Sequence, residues 1–204
     1  MIEKADNPLL LLISAASGTG KTTLCKRLLA EFPAIDYSIS CTTRSPRAGE
    51  VDGEHYRFMD EATFEHLVAQ QAFLEHARVF EHGYGTLRSK VEESLAQGRD
   101  VIMDVDVQGA QLIRELVAKL PPDHSLKRGF VDVFIAPPSI EVLRERLFAR
   151  KQDAAEVMEK RLREAAHEIA QWESYAYALV NDDLENSYRE LSSIYLSEKL
   201  KTHR

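Results

Sequence analysis

Ser14-Ala15-Ala16-Ser17-Gly18-Thr19-Gly20-Lys21-Thr22-Thr23 follows directly on the apolar run Leu9-Leu10-Leu11-Leu12-Ile13. A strand, a small-residue loop and a Gly-Lys-Thr opening a helix form the pattern of a phosphate-binding loop. Backbone N–H groups of such a loop and of the first helical turn point at an anion, and the helix dipole favours negative charge there. Gly18 and Gly20 remove the Cβ atoms that would hold the backbone away from a phosphate. Lys21 supplies a compact positive charge, and the Thr22 hydroxyl is placed to ligate Mg²⁺. The usual pattern opens on glycine, and Ala15 stands in that place. A plain glycine-rich turn would leave the flanking strand and the Lys-Thr pair unexplained. The whole stretch Ser14–Thr23 is therefore read as an ATP-binding segment.

Outward from this loop the chain alternates strand-like and helix-like segments. Leu9–Ile13 predicts a buried strand, and Lys21–Glu31 a helix with Leu24, Leu28 and Leu29 along one side. Tyr37–Cys41, His55–Met59, Phe73–Phe80, Val101–Asp106, Val131–Ala136 and Ala176–Val180 read as further strands. Helices are predicted over Glu61–Gln71, Arg88–Gln97, Gln111–Leu120, Ser139 to about Arg150, Ala154–Trp172 and Glu185–Leu200. Strand–helix alternation predicts an α/β fold of the P-loop NTPase type, a mostly parallel sheet with helices on both faces. Ligands in that architecture lie beyond the carboxyl ends of the strands. The stretch from Ser40 to Tyr84 departs from the alternation and reads as a small α+β insertion. The connection Lys119–Gly129 reads as a surface loop.

Composition narrows the classes. With 204 residues, 44% of them hydrophobic, the chain is long enough to bury one core. A formal charge of −7 argues against a general nucleic-acid binder. Anionic substrates must then be met by local basic clusters. Two cysteines, Cys25 and Cys41, make no disulfide framework and fit a reduced, cytoplasmic setting. No apolar run approaches membrane-spanning length, and Met1–Asn7 lacks the positive start of a signal peptide. The histidines show no metal-ligand spacing.

The insertion opens with Ser40-Cys41-Thr42-Thr43-Arg44-Ser45-Pro46-Arg47-Ala48-Gly49-Glu50 and continues to Tyr56. Pro46 stiffens the turn between Arg44 and Arg47. Two guanidinium forks on one stiff loop can grip a phosphate bidentately, although two solvated arginines would produce the same pattern.

Ser-x-Thr-Thr-Arg-x-Pro-Arg-x-Gly-Glu-x-x-Gly-x-x-Tyr resembles the signature of guanylate kinases, enzymes that phosphorylate GMP from ATP. The resemblance continues in order through Phe73–Ala77, Tyr84–Thr86, Met103–Gly109, Phe134–Ser139 and Val180–Asp183, and spans about Leu9 to about Leu200. It implies one domain with a core at about 8–39, 87–138 and 173–204, a GMP-binding lobe at about 40–86 and a helical lid at about 139–172. Arg44, Arg47, Tyr56 and Tyr84 match positions that bind the GMP phosphate, and Ser40, Glu75, Thr86 and Asp106 match those that read guanine. Guanine offers an N1–H and a 2-amino donor side by side, which one carboxylate can accept together. A site built for such bonds rejects a base lacking them by roughly three to five orders of magnitude. Asp104 matches an acidic strand end placed to position Mg²⁺, directly or through water. Lys21, Arg44 and the lid arginines Arg146, Arg150 and Arg161 are the implied charge-neutralising residues.

The lid stretch Leu147-Phe148-Ala149-Arg150-Lys151 lacks the glycines common in the family. Two readings follow: an active kinase, with ATP, GMP and Mg²⁺ as its small molecules, or a kinase-like interaction module without catalysis. Intact Gly18, Gly20, Lys21 and Thr22 favour the first.

Overall fold

The computed structural model describes residues 8–149 and 155–202. In chain order its strands are β1 (Leu10–Ala15), β2 (Ile35–Tyr37), β3 (Cys41–Thr42), β4 (Arg57–Phe58), β5 (Phe73–Val79), β6 (His82–Leu87), β7 (Asp100–Val105), β8 (Phe130–Ala136) and β9 (Tyr177–Val180). The helices are α1 (Lys21–Glu31), α2 (Glu61–Ala69), α3 (Arg88–Ala96), α4 (Val107–Lys119), α5 (Ser125–Arg128), α6 (Ile140–Ala149), α7 (Ala155–Ile169) and α8 (Leu184–Leu200).

Every residue of β1 is buried, as its apolar run requires of a strand covered on both faces. It lies between β7 and β8 in a five-stranded sheet of order β2-β7-β1-β8-β9, and all pairings are parallel. The two-residue period sorts β1 between two cores. Leu9, Leu11, Ile13 and Ala15 pack with Leu24, Cys25 and Leu28 of α1 and Leu191 and Tyr195 of α8. Leu10 and Leu12 pack with Val91 and Leu95 of α3 and Ala110, Ile113 and Val117 of α4. Each fully buried leucine contributes about 1.5–3 kcal/mol relative to exposure.

A second sheet, of order β4-β3-β6-β5, carries the segment from Ser40 onward. The segment read as one strand over Tyr37–Cys41 is divided between the sheets. Ser38 makes the last bond to β7, through Ile102 O at 2.9 Å, and Cys41 pairs with Arg57 and Gly85 in the second sheet. The strand read over His55–Met59 shrinks to Arg57–Phe58. Strand β6 was hidden by Gly83 and Gly85, which weaken a strand signal. Packing demands them: a Cβ on Gly83 would come within 2.6 Å of the Phe64 ring, and one on Gly85 within 3.0 Å of Phe73. Helix α4 starts at Val107, ahead of the expected Gln111, because the Asp106 carboxylate caps it by accepting from Gly109 N at 2.7 Å. The expected Lys119–Gly129 loop contains the short α5, which buries Leu126. Ser139 does cap the start of α6, accepting from Val142 N at 3.2 Å.

The buried Asp100 carboxylate joins the chain's two ends across the first sheet. It accepts from Leu9 N at 2.7 Å, Tyr195 Oη at 2.7 Å and Lys199 Nζ at 2.9 Å. Among the described residues no helix is long and apolar enough to cross a membrane.

Candidate active site

The loop after β1 is shaped by glycines that no other residue could replace without movement. Gly18 and Gly20 have φ of +91° and +96°, a region that disfavours a side chain. A Cβ on Gly18 would lie 2.9 Å from Leu147 of α6, and one on Gly20 would lie 2.5 Å from Asn181 Nδ2. Asn181, at the end of β9, donates to Thr19 O at 2.5 Å and so ties the loop to the far side of the sheet. Ala15 closes β1, and Ala16 is buried against Leu143, Leu147, Leu162 and Ala165. Small side chains in these two places meet a packed surface, which a methyl group fits.

Helix α1 begins without a side-chain cap and without an acidic residue in its first turn. By contrast α2, α4 and α8 are capped by Asp60, Asp106 and Asp183. The N–H groups at the start of α1 are thereby left to an outside anion. Ala15–Thr23, Asp106 and Glu168 enclose a cradle of about 330 Å³ around this start. The Lys21 ammonium reaches the end of β7, donating to Val105 O at 2.7 Å and pairing with Asp104.

Across the cleft, the Arg-x-Pro-Arg loop is organised by a residue to which the sequence reading gave no role. Glu50 receives Arg44 Nη1 and Nη2 at 3.0 and 2.9 Å and the Arg47 backbone N–H at 2.7 Å. These donors hold the Glu50 carboxyl down at about 2, and Glu50 in turn raises the Arg44 pKa. Gly49, at φ +85°, makes the turn that brings Glu50 back; its Arg-x-x-Arg-x-Gly-Glu spacing was the available signal. Arg44 lies 5.5 Å from the Tyr56 ring, and the Tyr56 and Tyr84 rings are 6.0 Å apart, edge to face. Arg44, Tyr56 and Tyr84 thus converge, with the exposed Arg47 side chain beside them.

Glu75 of β5 accepts from Thr86 Oγ1 at 2.8 Å. Burial pushes its carboxyl up to about 7, with Asp106 adding to the rise and Thr86 opposing it. Gly109 allows the approach, since a Cβ there would sit 3.4 Å from Glu75 Oε2 and 3.3 Å from Asp106 Oδ1. Glu75, Thr86 and Asp106 therefore meet at the start of α4. Ser40 sits at the entry to β3, and its carbonyl accepts from Arg57 N at 2.9 Å.

Of the three arginines expected on the lid, Arg146 donates to the carbonyls of Asn181 at 2.9 Å and Asp182 at 3.4 Å. Its guanidinium braces the end of β9, and Arg146 does not line the phosphate cradle. Arg161 is half-buried on α7, and Arg150 lies outside the described residues. The hydroxyl and the carboxylate expected to hold Mg²⁺, Thr22 and Asp104, line one cleft. Few protein ligands with phosphates supplying the rest is the habit of this hard cation. Among the described residues no group of three or more His, Cys, Asp or Glu could hold a metal by itself.

A parallel sheet with helices on both faces, carrying a strand–glycine loop–helix at its carboxyl edge, defines the P-loop NTPase class of fold. The guanylate kinase family model matches residues 7–198. A guanylate kinase from Paramagnetospirillum magneticum is 44% identical over 196 residues, 96% of this chain and 87% of that protein. One from Sphingopyxis alaskensis is 46% identical over 195 residues, covering 96% and 84%. The crystal structure of guanylate kinase from Anaplasma phagocytophilum superposes with a TM-score of 0.70 at 31% identity, covering 97% of this chain and 89% of that one. The chain belongs to the guanylate kinase family.

Proposed function

We propose that this protein transfers the terminal phosphoryl group of ATP to GMP, giving ADP and GDP. The observation that carries the reading is one cleft of about 450 Å³. Thr22, Lys26 and Asp104 line one side of it, and Glu50, His55 and Tyr56 the other. Thr22 and Asp104, on the triphosphate side, thus share one space with Tyr56 and with Glu50, the holder of Arg44, on the monophosphate side, which suits a transfer between two anions brought close together.

In this reading Ser14–Thr23 hold the ATP phosphates, with Lys21 and the α1 N-terminus neutralising their charge. Thr22 and Asp104 would hold Mg²⁺, which supplies charge neutralisation on the bridging phosphate oxygens. Arg44, Arg47, Tyr56 and Tyr84 grip the GMP phosphate. Glu50 aims Arg44 before substrate arrives and takes up only part of its five-donor fork. Ser40, Glu75, Thr86 and Asp106 read guanine. The acceptor is a phosphate oxygen with a second pKa of about 6, ionised at neutral pH, so no general base is required. Residues 40–86 form the GMP lobe and 139–172 the lid, which excludes water on closure and brings Arg161 toward the phosphates. Arg146 acts through the β9 end, as a brace.

A coupled assay for ADP release with GMP, AMP, CMP and UMP tests the reading. ADP should form rapidly with GMP alone. Absence of GMP-dependent ADP release would overturn it and leave a binding module.

A further inference from the structure

Glu168 has no part in the chemistry above, yet it lines the phosphate cradle with Ala15–Thr23 and Asp106. It lies on α7 about two turns beyond Arg161, so both residues occupy one face of the helix. It lines that cradle together with Ser17, close enough for the Ser17 backbone N–H, a donor of the phosphate loop, to favour its charged form. Burial raises its pKa, Asp106 and Glu164 add to the rise, and the Ser17 N–H and Lys21 oppose it. An ordinary surface glutamate would be solvated; this one is half-buried on α7 against an anion-binding loop. A carboxylate and a triphosphate carry the same sign of charge and need the same N–H donors. They cannot share that ground without strong repulsion.

We infer that Glu168 is a built-in competitor for the donor's phosphates, a carboxylate that α7 holds against the loop and that a triphosphate must displace to seat. This rests on the reading of Ser14–Thr23 as the triphosphate site. Two consequences follow. Glu168 weakens nucleotide binding and so favours product release. Because it shares a helix face with Arg161, seating of the triphosphate is coupled to movement of the helix that carries the arginine.

Titration calorimetry of the full chain with inorganic tripolyphosphate, and separately with ATP and Mg²⁺, tests this on Glu168→Gln, Glu168→Ala and Lys21→Ala. Both Glu168 variants should bind tripolyphosphate roughly three- to ten-fold more tightly than wild type, as removal of one like charge at a helix N-terminus implies. The gain should shrink as ionic strength rises, and GMP affinity should stay unchanged. Equal affinity would overturn the proposal by placing Glu168 clear of the phosphates. Weaker binding would overturn it by making Glu168 a support for the nucleotide, for instance through metal-bound water. Wild-type binding that Lys21→Ala leaves intact would instead sink the reading of the loop itself. Thermal melting without ligand, compared across the variants, separates a folding defect from a binding effect.

Discussion

Glu75, proposed to read guanine, also carries a stability signature. Its carboxyl is raised from 4.5 to about 7, chiefly by burial. Between those pH values the folded chain binds a proton that the unfolded chain has released. Stability attributable to Glu75 is therefore full below about pH 4.5, declines as pH rises toward 7, and is flat above. Urea titrations from pH 4.5 to 8 should show this decline in wild type and its loss in Glu75→Gln. The same substitution leaves one acceptor where guanine presents two donors. Loss of such charged bonds, about 2–4 kcal/mol, should lower kcat/KM for GMP roughly 30- to 1,000-fold. ATP affinity should hardly change, and equal losses for both nucleotides would remove Glu75 from base reading.

At the scale of an element, the β5–β6 hairpin carries an avoidable strain. Val79 pairs with His82, leaving Phe80 and Glu81 as a two-residue turn with φ of +48° and +70°. Such turns favour Asn-Gly, because both positions need φ above zero. Phe80 is 91% exposed, so its side chain contributes little packing. Replacing Phe80–Glu81 by Asn–Gly should stabilise the protein by about 1–2 kcal/mol, read as a shift of the urea midpoint at constant m-value. An unchanged midpoint would mean the turn relaxes without strain. The uncapped start of α1 is the opposite case, a weakness in the helix that leaves its N–H groups to a phosphate.

Across the whole molecule the Asp100 carboxylate is the junction on which both termini of the core depend. Asp100→Ala leaves the Leu9 N–H and the Tyr195 hydroxyl buried without that acceptor and takes one partner from Lys199. The expected loss is about 3–4 kcal/mol. Calorimetry should then show the melting temperature falling by roughly 6–16 °C, with GMP specificity intact in the cold. A drop below about 2 °C would show that water replaces the lost acceptor.

Short-range order was legible in the residues themselves. The Leu9–Ile13 run, the Gly-x-Gly-Lys-Thr spacing and the alternation of periods determined the parallel sheet and the loop at its edge, because strand burial and glycine conformation act within a few residues. The Arg44–Tyr56 stretch and its companions identified the family. Tertiary contacts decided the rest. Glycines that leave room for Phe64 and Phe73 concealed β6, and the path from Tyr37 to Cys41 changes sheets because a distant strand, β6, supplies the new partners. Asn181 as the tether of the loop, Arg146 as a brace and Glu168 in the phosphate cradle all depend on groups brought together from distant parts of the chain. No local pattern encodes such meetings, since their energies exist only once the two sheets, α6 and α7 have packed around the loop.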